Sequence, residues 1–149
     1  MTTIKRVTSE NDDFKSLVAL LDEDLAIRDG DEHAFYHQFN KINLIKHAIV
    51  VYSDHTPVGC GAIKAFSDDR MEVKRMFVKP EFRRKGIASI ILNELELWAE
   101  ELNYPGLVLE TGKNQPEAIR LYEKNNFAVI PNYGQYIGVT NSICFEKIL

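Results

Sequence analysis

The chain has 149 residues, 45% of them apolar and 27% charged, and a formal net charge of −4. That length suits one domain, residues 1–149, with a sizeable core, and the acidic balance argues against nucleic acid as a partner. No apolar run approaches membrane-spanning length, and the N-terminus lacks the apolar core of a secretion signal. Cys60 and Cys144, the two cysteines, sit in apolar runs and read as buried free thiols, so a cytoplasmic protein with no membrane partner is expected.

Thr3 to Thr8 predicts a short first strand. Ser9 or Asn11 is positioned to cap a helix with Asp12 and Asp13 in its first turn. Phe14, Leu17, Val18, Leu21, Leu25 and Ala26 recur at helical spacing, and Gly30 ends the pattern. A second helix is expected from Asp31, with His33 and His37 one turn apart. No third ligand accompanies them, and no metal is expected.

His47 to Ser53 and Val58 to Phe66 read as strands joined by the turn Asp54 to Pro57. Gly59-Cys60-Gly61 lacks the third glycine and the following helix of a dinucleotide fingerprint. Ser67 to Arg70 is a hairpin turn into the strand Glu72 to Val78, which Pro80 closes. Arg70 to Lys85 holds seven basic residues against Glu72 and Glu81, a local positive site on an acidic body. Arg83, Arg84 and Lys85 then lead into Gly86, Ile87 and Ala88 at a helix start. Unpaired amides, the helix dipole, a residue without a Cβ and three cations together suit a phosphate or pyrophosphate.

The helix from Gly86 to about Asn103 carries Ile87, Ile91, Leu95, Trp98 and Leu102 as its buried stripe. Ser89, Asn93, Glu96 and Glu100 fall on its wet side. Leu107 to Thr111 is an apolar strand, and strand, helix, strand implies a parallel pair with a right-handed crossover. Gly106 to Lys113 has the wrong spacing for a P-loop. Asn114-Gln115-Pro116-Glu117 starts another helix, with a capping residue, a first-turn proline and an acid. Phe127 to Ile130 and Asn141 to Leu149 are the last strands, flanking an aromatic loop from Pro131 to Gly138.

Two motifs in this order resemble the GNAT superfamily of acetyl-CoA-dependent N-acetyltransferases. One is Arg83-Arg84-Lys85-Gly86-Ile87-Ala88, similar to Arg/Gln-x-x-Gly-x-Gly/Ala after a strand. The other is Ala118-Ile119-Arg120-Leu121-Tyr122-Glu123-Lys124-Asn125-Asn126-Phe127, similar to Ala-Ile-x-Leu-Tyr-Glu-Lys-x-x-Phe on a later helix. The resemblance implies an α/β (α+β) fold: a mixed, mostly antiparallel sheet of about seven strands, a splayed parallel pair, and helices on both faces.

The resemblance also implies roles. Backbone amides from Arg84 to Ala88, with Arg83 beside them, hold the cofactor pyrophosphate. Met76, Phe77 and Val78 pair with the pantetheine arm, and Asn114 or Gln115 contacts it. Gln115 stands where many members carry asparagine. Tyr122 protonates the departing thiolate, and Glu72 acts as base; the rival readings are a packed helix aromatic and a surface carboxylate paired with Lys74 or Arg70. Glu72 to Val78 spans roughly 20 Å as a strand, a distance an extended pantetheine arm covers.

No cysteine nucleophile lies on a motif, so direct transfer in a ternary complex is expected. The acceptor is expected to be a small-molecule primary amine, lined by Arg28, His33, Tyr36, Tyr133 and Tyr136. Arg28 would meet an acceptor carboxylate. A protein lysine or N-terminal acetyltransferase and a non-catalytic acyl-CoA-binding module are the alternatives. A homodimer is in keeping with the family.

Overall fold

A computed structural model describes residues 1–29 and 45–149, with the side chains of Arg28 and Asp29 outside the description. The expected second helix, and with it His33, Tyr36 and His37, falls outside the described residues. In chain order the elements are β1 Thr2–Val7, α1 Asp12–Asp29, β2 His47–Ser53, β3 Thr56–Ser67, β4 Arg70–Val78 and α2 Ile87–Glu101. Then follow β5 Gly106–Gly112, α3 Pro116–Lys124, β6 Ala128–Ile130 and β7 Ser142–Ile148.

The strands form one seven-stranded sheet in the order β1-β2-β3-β4-β5-β7-β6. Neighbours are antiparallel except β4 and β5, which run parallel. α1 covers one face over Phe14, Leu17, Val50 and Cys60. α2 and α3 cover the other over Ile91, Leu95, Leu107 and Phe145. Among the described residues, no helix is long and apolar enough to cross a membrane.

Asn11 is the residue that caps α1: its Oδ1 accepts a 2.9 Å bond from the Phe14 N–H. The first hairpin is tighter than expected. Asp54 (φ 47°) and His55 (φ 73°) alone make the turn, and Thr56 and Pro57 already belong to β3. Two left-handed residues match the twist of the paired strands, so the chain turns at once.

Gly59 and Gly61 serve packing. A Cβ on Gly61 would lie 2.6 Å from Ile91 Cγ2 and 2.7 Å from Met76 Sδ, so the glycines let α2 settle onto β3. The buried stripe of α2 is Ile87, Ile91, Leu92, Leu95 and Ala99. Trp98 is only half-buried, edge-on to His47 at 4.9 Å and beneath the Arg6 guanidinium at 4.6 Å. Glu96 is not on a wet face: its Oε1 accepts a 2.7 Å bond from Lys147 Nζ.

Two irregularities position everything that follows. β4 and β5 pair only through Met71 with Leu107 and Glu72 with Val108, after which they diverge. β4 also bulges against β3, where Cys60 faces Phe77 but Ala62 faces Lys74, leaving one extra residue in β4. Arg75, inside that bulge, has a left-handed φ of 60°.

Candidate active site

The divergence of β4 from β5 opens a cleft of about 980 Å³. Its walls are Glu72 to Val78, the start of α2, the end of β5, the inner face of α3, and Leu21, Asp24, Leu25 and Tyr136. It has three parts along its length.

At one end lies the basic turn. Pro80–Phe82 form one turn of 3-10 helix, Arg84 is left-handed (φ 64°), and so is Gly86 (φ 80°) at the N-cap of α2. The helix ladder begins with Ile90 N–H to the Gly86 carbonyl at 3.1 Å. The amides of Gly86, Ile87, Ala88 and Ser89 therefore precede the ladder, and no side chain caps the helix. A Cβ on Gly86 would meet nothing within 4 Å, so the glycine is required by its backbone angle and the space before it is open. Arg84 and Lys85 are exposed. Arg83 is turned inward: its Nε donates to the Val78 carbonyl at 2.8 Å, and Nη2 lies 3.8 Å from Asp24. It braces the strand end.

The middle of the cleft is the edge of β4. Phe77 and Val78 pair with Cys60 and Gly59 on one side. On the other side β5 has already diverged, so this edge borders the cleft. Gln115, the N-cap residue of α3 in place of Asn114, lines the opposite wall. Asn114 is exposed and is not part of that wall.

The vertex holds the titratable groups. Glu72 is buried, and its Oε2 accepts a 2.6 Å bond from the Tyr133 hydroxyl. Lys74 Nζ lies 3.5 Å from its Oε1, and Arg70 instead pairs with Glu146 at 2.9 Å. Tyr122 is buried against Phe127 and Phe145, with ring centroids 5.7 and 5.9 Å away. Burial, then the nearby Glu110, push its phenol well above the ordinary tyrosine range, so it keeps its proton at neutral pH.

Of the two loop tyrosines expected at the acceptor, Tyr136 lines the cleft. Tyr133 makes edge-to-face contacts with Phe66 (4.8 Å) and Tyr136 (5.9 Å) and reaches Glu72 instead. Arg28, His33 and Tyr36 lie outside what is described. The sequence suggests no site role for Arg75 or Glu110 and offers Lys74 only as a rival partner of Glu72; two adjacent cations inside an apolar strand are the available signal. Cys60 is inert here. Its Sγ donates to the Arg75 carbonyl at 3.3 Å, and burial pushes its pKa up to about 12.

Residues 14–127 match the acetyltransferase (GNAT) family. The chain is 38% identical over 102 residues to an IAA acetyltransferase of Azospirillum brasilense, covering 68% of this chain and 67% of that protein. The fold matches a candidate acyl-CoA N-acyltransferase of Klebsiella pneumoniae with a TM-score of 0.84 and 27% identity, over 100% of this chain and 98% of that one. A PaiA N-acetyltransferase of Thermoplasma acidophilum, solved with coenzyme A, shares the fold at a TM-score of 0.74 and 19% identity, over 100% and 99% of the two chains. With its family match running from α1 through the diverging strands β4 and β5 to the end of the tyrosine helix α3, the chain belongs to the GNAT family of acetyltransferases.

Proposed function

We propose that residues 1–149 form a single catalytic domain that transfers acetyl from acetyl-CoA directly to the primary amine of a small molecule. The observation that carries this is one continuous cleft. It has unladdered amides at one end, an open strand edge along its middle, and a carboxylate and a protonated phenol at its vertex. The residues fit the donor: four amides and an absent Cβ suit a pyrophosphate, and the β4 edge suits an extended amide-bearing arm.

Gly86 to Ser89 would hold the phosphates, with Arg84 and Lys85 adding charge. Arg83 would shape the turn rather than reach the ligand. Met76 to Val78 and Gln115 would flank the arm. Acetyl-CoA supplies the acetyl group as a thioester. Glu72, anchored by Tyr133 and Lys74, takes the proton that the amine loses as its nitrogen bonds to the acetyl carbon. Tyr122 gives its proton to the sulfur as the carbon–sulfur bond breaks. Neither cysteine is required, since Cys60 and Cys144 are buried free thiols. Free thiols also support a reducing, cytoplasmic setting.

A thiol-release assay with acetyl-CoA and a panel of primary amines tests this reading. Turnover with at least one amine is expected. Coenzyme A binding with no turnover on any amine would leave only a non-catalytic binding module.

A further inference from the structure

We infer that Arg75 reads the acceptor, and that the acceptor is an amine bearing a carboxylate, an amino acid or a close analogue. This rests on the acetyltransferase reading above and names the acceptor class for it.

Successive residues of a strand normally point to opposite faces. The bulge in β4 breaks that rule at Lys74 and Arg75. Ala62, the partner of Lys74, belongs to the core under α1, and Arg75 meets Asp22 of α1. Both cations therefore lie on the α1 face, two and three residues along from Glu72. Met76 resumes the alternation on the α2 face, beside Gly61. Glu72, Lys74, Arg75 and Tyr136 all line the cleft at this level.

Among the described residues, Arg75 is incompletely paired for its burial. Its side chain is 2% exposed. Among the described residues, the one carboxylate within ion-pair distance is Asp22. One guanidinium nitrogen meets one oxygen there at 3.4 Å, and Asp22 remains 32% exposed. Other arginines of this protein are better served: Arg6 makes two 2.8 Å bonds to Glu101, and Arg70 a 2.9 Å bond to Glu146. Burial pulls the Arg75 pKa down, and Asp22 opposes that only in part. Glu72 is already engaged by Tyr133 and Lys74. A buried guanidinium served, among the described residues, by one long contact is costly unless a further anion completes its fork.

The backbone supports the same assignment. A left-handed φ is strained for any residue with a Cβ, and glycine would hold the bulge without strain. An arginine at this point indicates a demand for the side chain. Its planar fork fits a carboxylate through two hydrogen bonds. The acceptor's carboxylate would sit on Arg75, with Lys74 nearby, and its amine would face Glu72.

The test compares kcat/KM for acids with that for their own amides: glycine, β-alanine, 4-aminobutyrate and a set of L-amino acids. An amide has a lower amine pKa, which favours the amide, so a preference for the acid reports recognition of the carboxylate. The wild type should prefer the acid in at least one pair by about 10- to 100-fold. Arg75→Met should bring that ratio close to one, and Arg75→Lys should retain part of it. The ratio is taken within each variant, so a general loss of folded protein cancels. Equal use of acids and amides by the wild type, or a ratio that survives in Arg75→Met, overturns the Arg75 assignment alone. No amine-dependent thiol release from the wild type with any amine overturns the acetyltransferase reading, and the acceptor assignment with it.

Discussion

The hydroxyl of Tyr133 donates a 2.6 Å hydrogen bond to Oε2 of Glu72, joining the aromatic loop to the strand that enters the cleft. A hydrogen bond to a charged group contributes about 1.5–3 kcal/mol. Tyr133→Phe removes the donor and, among the described residues, leaves Glu72 with Lys74 at 3.5 Å. We expect kcat to fall by about tenfold or more, from ~1.4 kcal/mol upward, with coenzyme A affinity preserved. Steady-state kinetics and calorimetry check this; an unchanged kcat would remove Glu72 orientation from the account.

Tyr122 separates chemistry from binding. Its hydroxyl is the proposed proton donor, and its ring packs on Phe127 and Phe145. Tyr122→Phe keeps the ring and removes the proton. Turnover should drop by about 10²-fold or more, the usual worth of a positioned acid, while the dissociation constant of coenzyme A stays within a few-fold. Full turnover in this variant would reduce Tyr122 to a packing residue.

Gly86 combines a fold requirement with a place in the proposed pyrophosphate site. Its φ of 80° penalises any Cβ, yet apart from its chain neighbours no described residue comes within 4 Å of where that Cβ would stand. Gly86→Ala should therefore cost about 1–2 kcal/mol through backbone strain alone, read as a lower urea midpoint. Gly86→Asn should cost less, because asparagine tolerates the left-handed region. Gly86→Glu should abolish coenzyme A binding by placing bulk and negative charge before the amides. Retained affinity in Gly86→Glu would refute the pyrophosphate site.

Three buried phenols, Tyr52, Tyr122 and Tyr136, and the half-buried Tyr133 are expected to set the alkaline limit of the fold. Burial is the first cause raising Tyr52, Tyr122, Tyr133 and Tyr136 above the ordinary tyrosine value. Tyr52, which donates a 2.6 Å bond to Asp13, is pushed up to about 12. Above pH ~10 the unfolded chain releases these protons while the native state retains them. The native state then binds more protons, so stability falls as pH rises. The urea midpoint should hold from pH ~7 to 9 and decline beyond ~10. Tyr52→Phe should decline less steeply; parallel slopes for the two proteins would contradict the assignment.

Much of the fold was legible because period and punctuation agree. β2, β3 and β5 are dense in apolar β-formers, α2 has a continuous apolar stripe, and Pro80, Gly86 and Pro116 mark boundaries. A motif spells the proposed site residues Gly86 and Tyr122, and both line the cleft. The cleft was not legible where its geometry depends on a departure from regularity. Strict alternation would put Lys74 and Arg75 on opposite faces, and only the bulge places both beneath α1. The Tyr133–Glu72 bond joins residues 61 apart in the chain, which no local pattern encodes. The bond from Arg83 Nε to the Val78 carbonyl is likewise a contact that the charge run alone does not encode. Gly59 and Gly61 have no local explanation until α2 packs on them.

Direct transfer at the vertex of the cleft is the central claim, and a single-turnover experiment tests it most directly. Protein in excess is mixed with acetyl-CoA, with and without an accepted amine, and free thiol and acetylated amine are quantified together. One thiol should appear for each acetylated amine, and neither should appear when the amine is omitted. A burst of thiol without amine, accompanied by an acetylated protein chain, would contradict direct transfer.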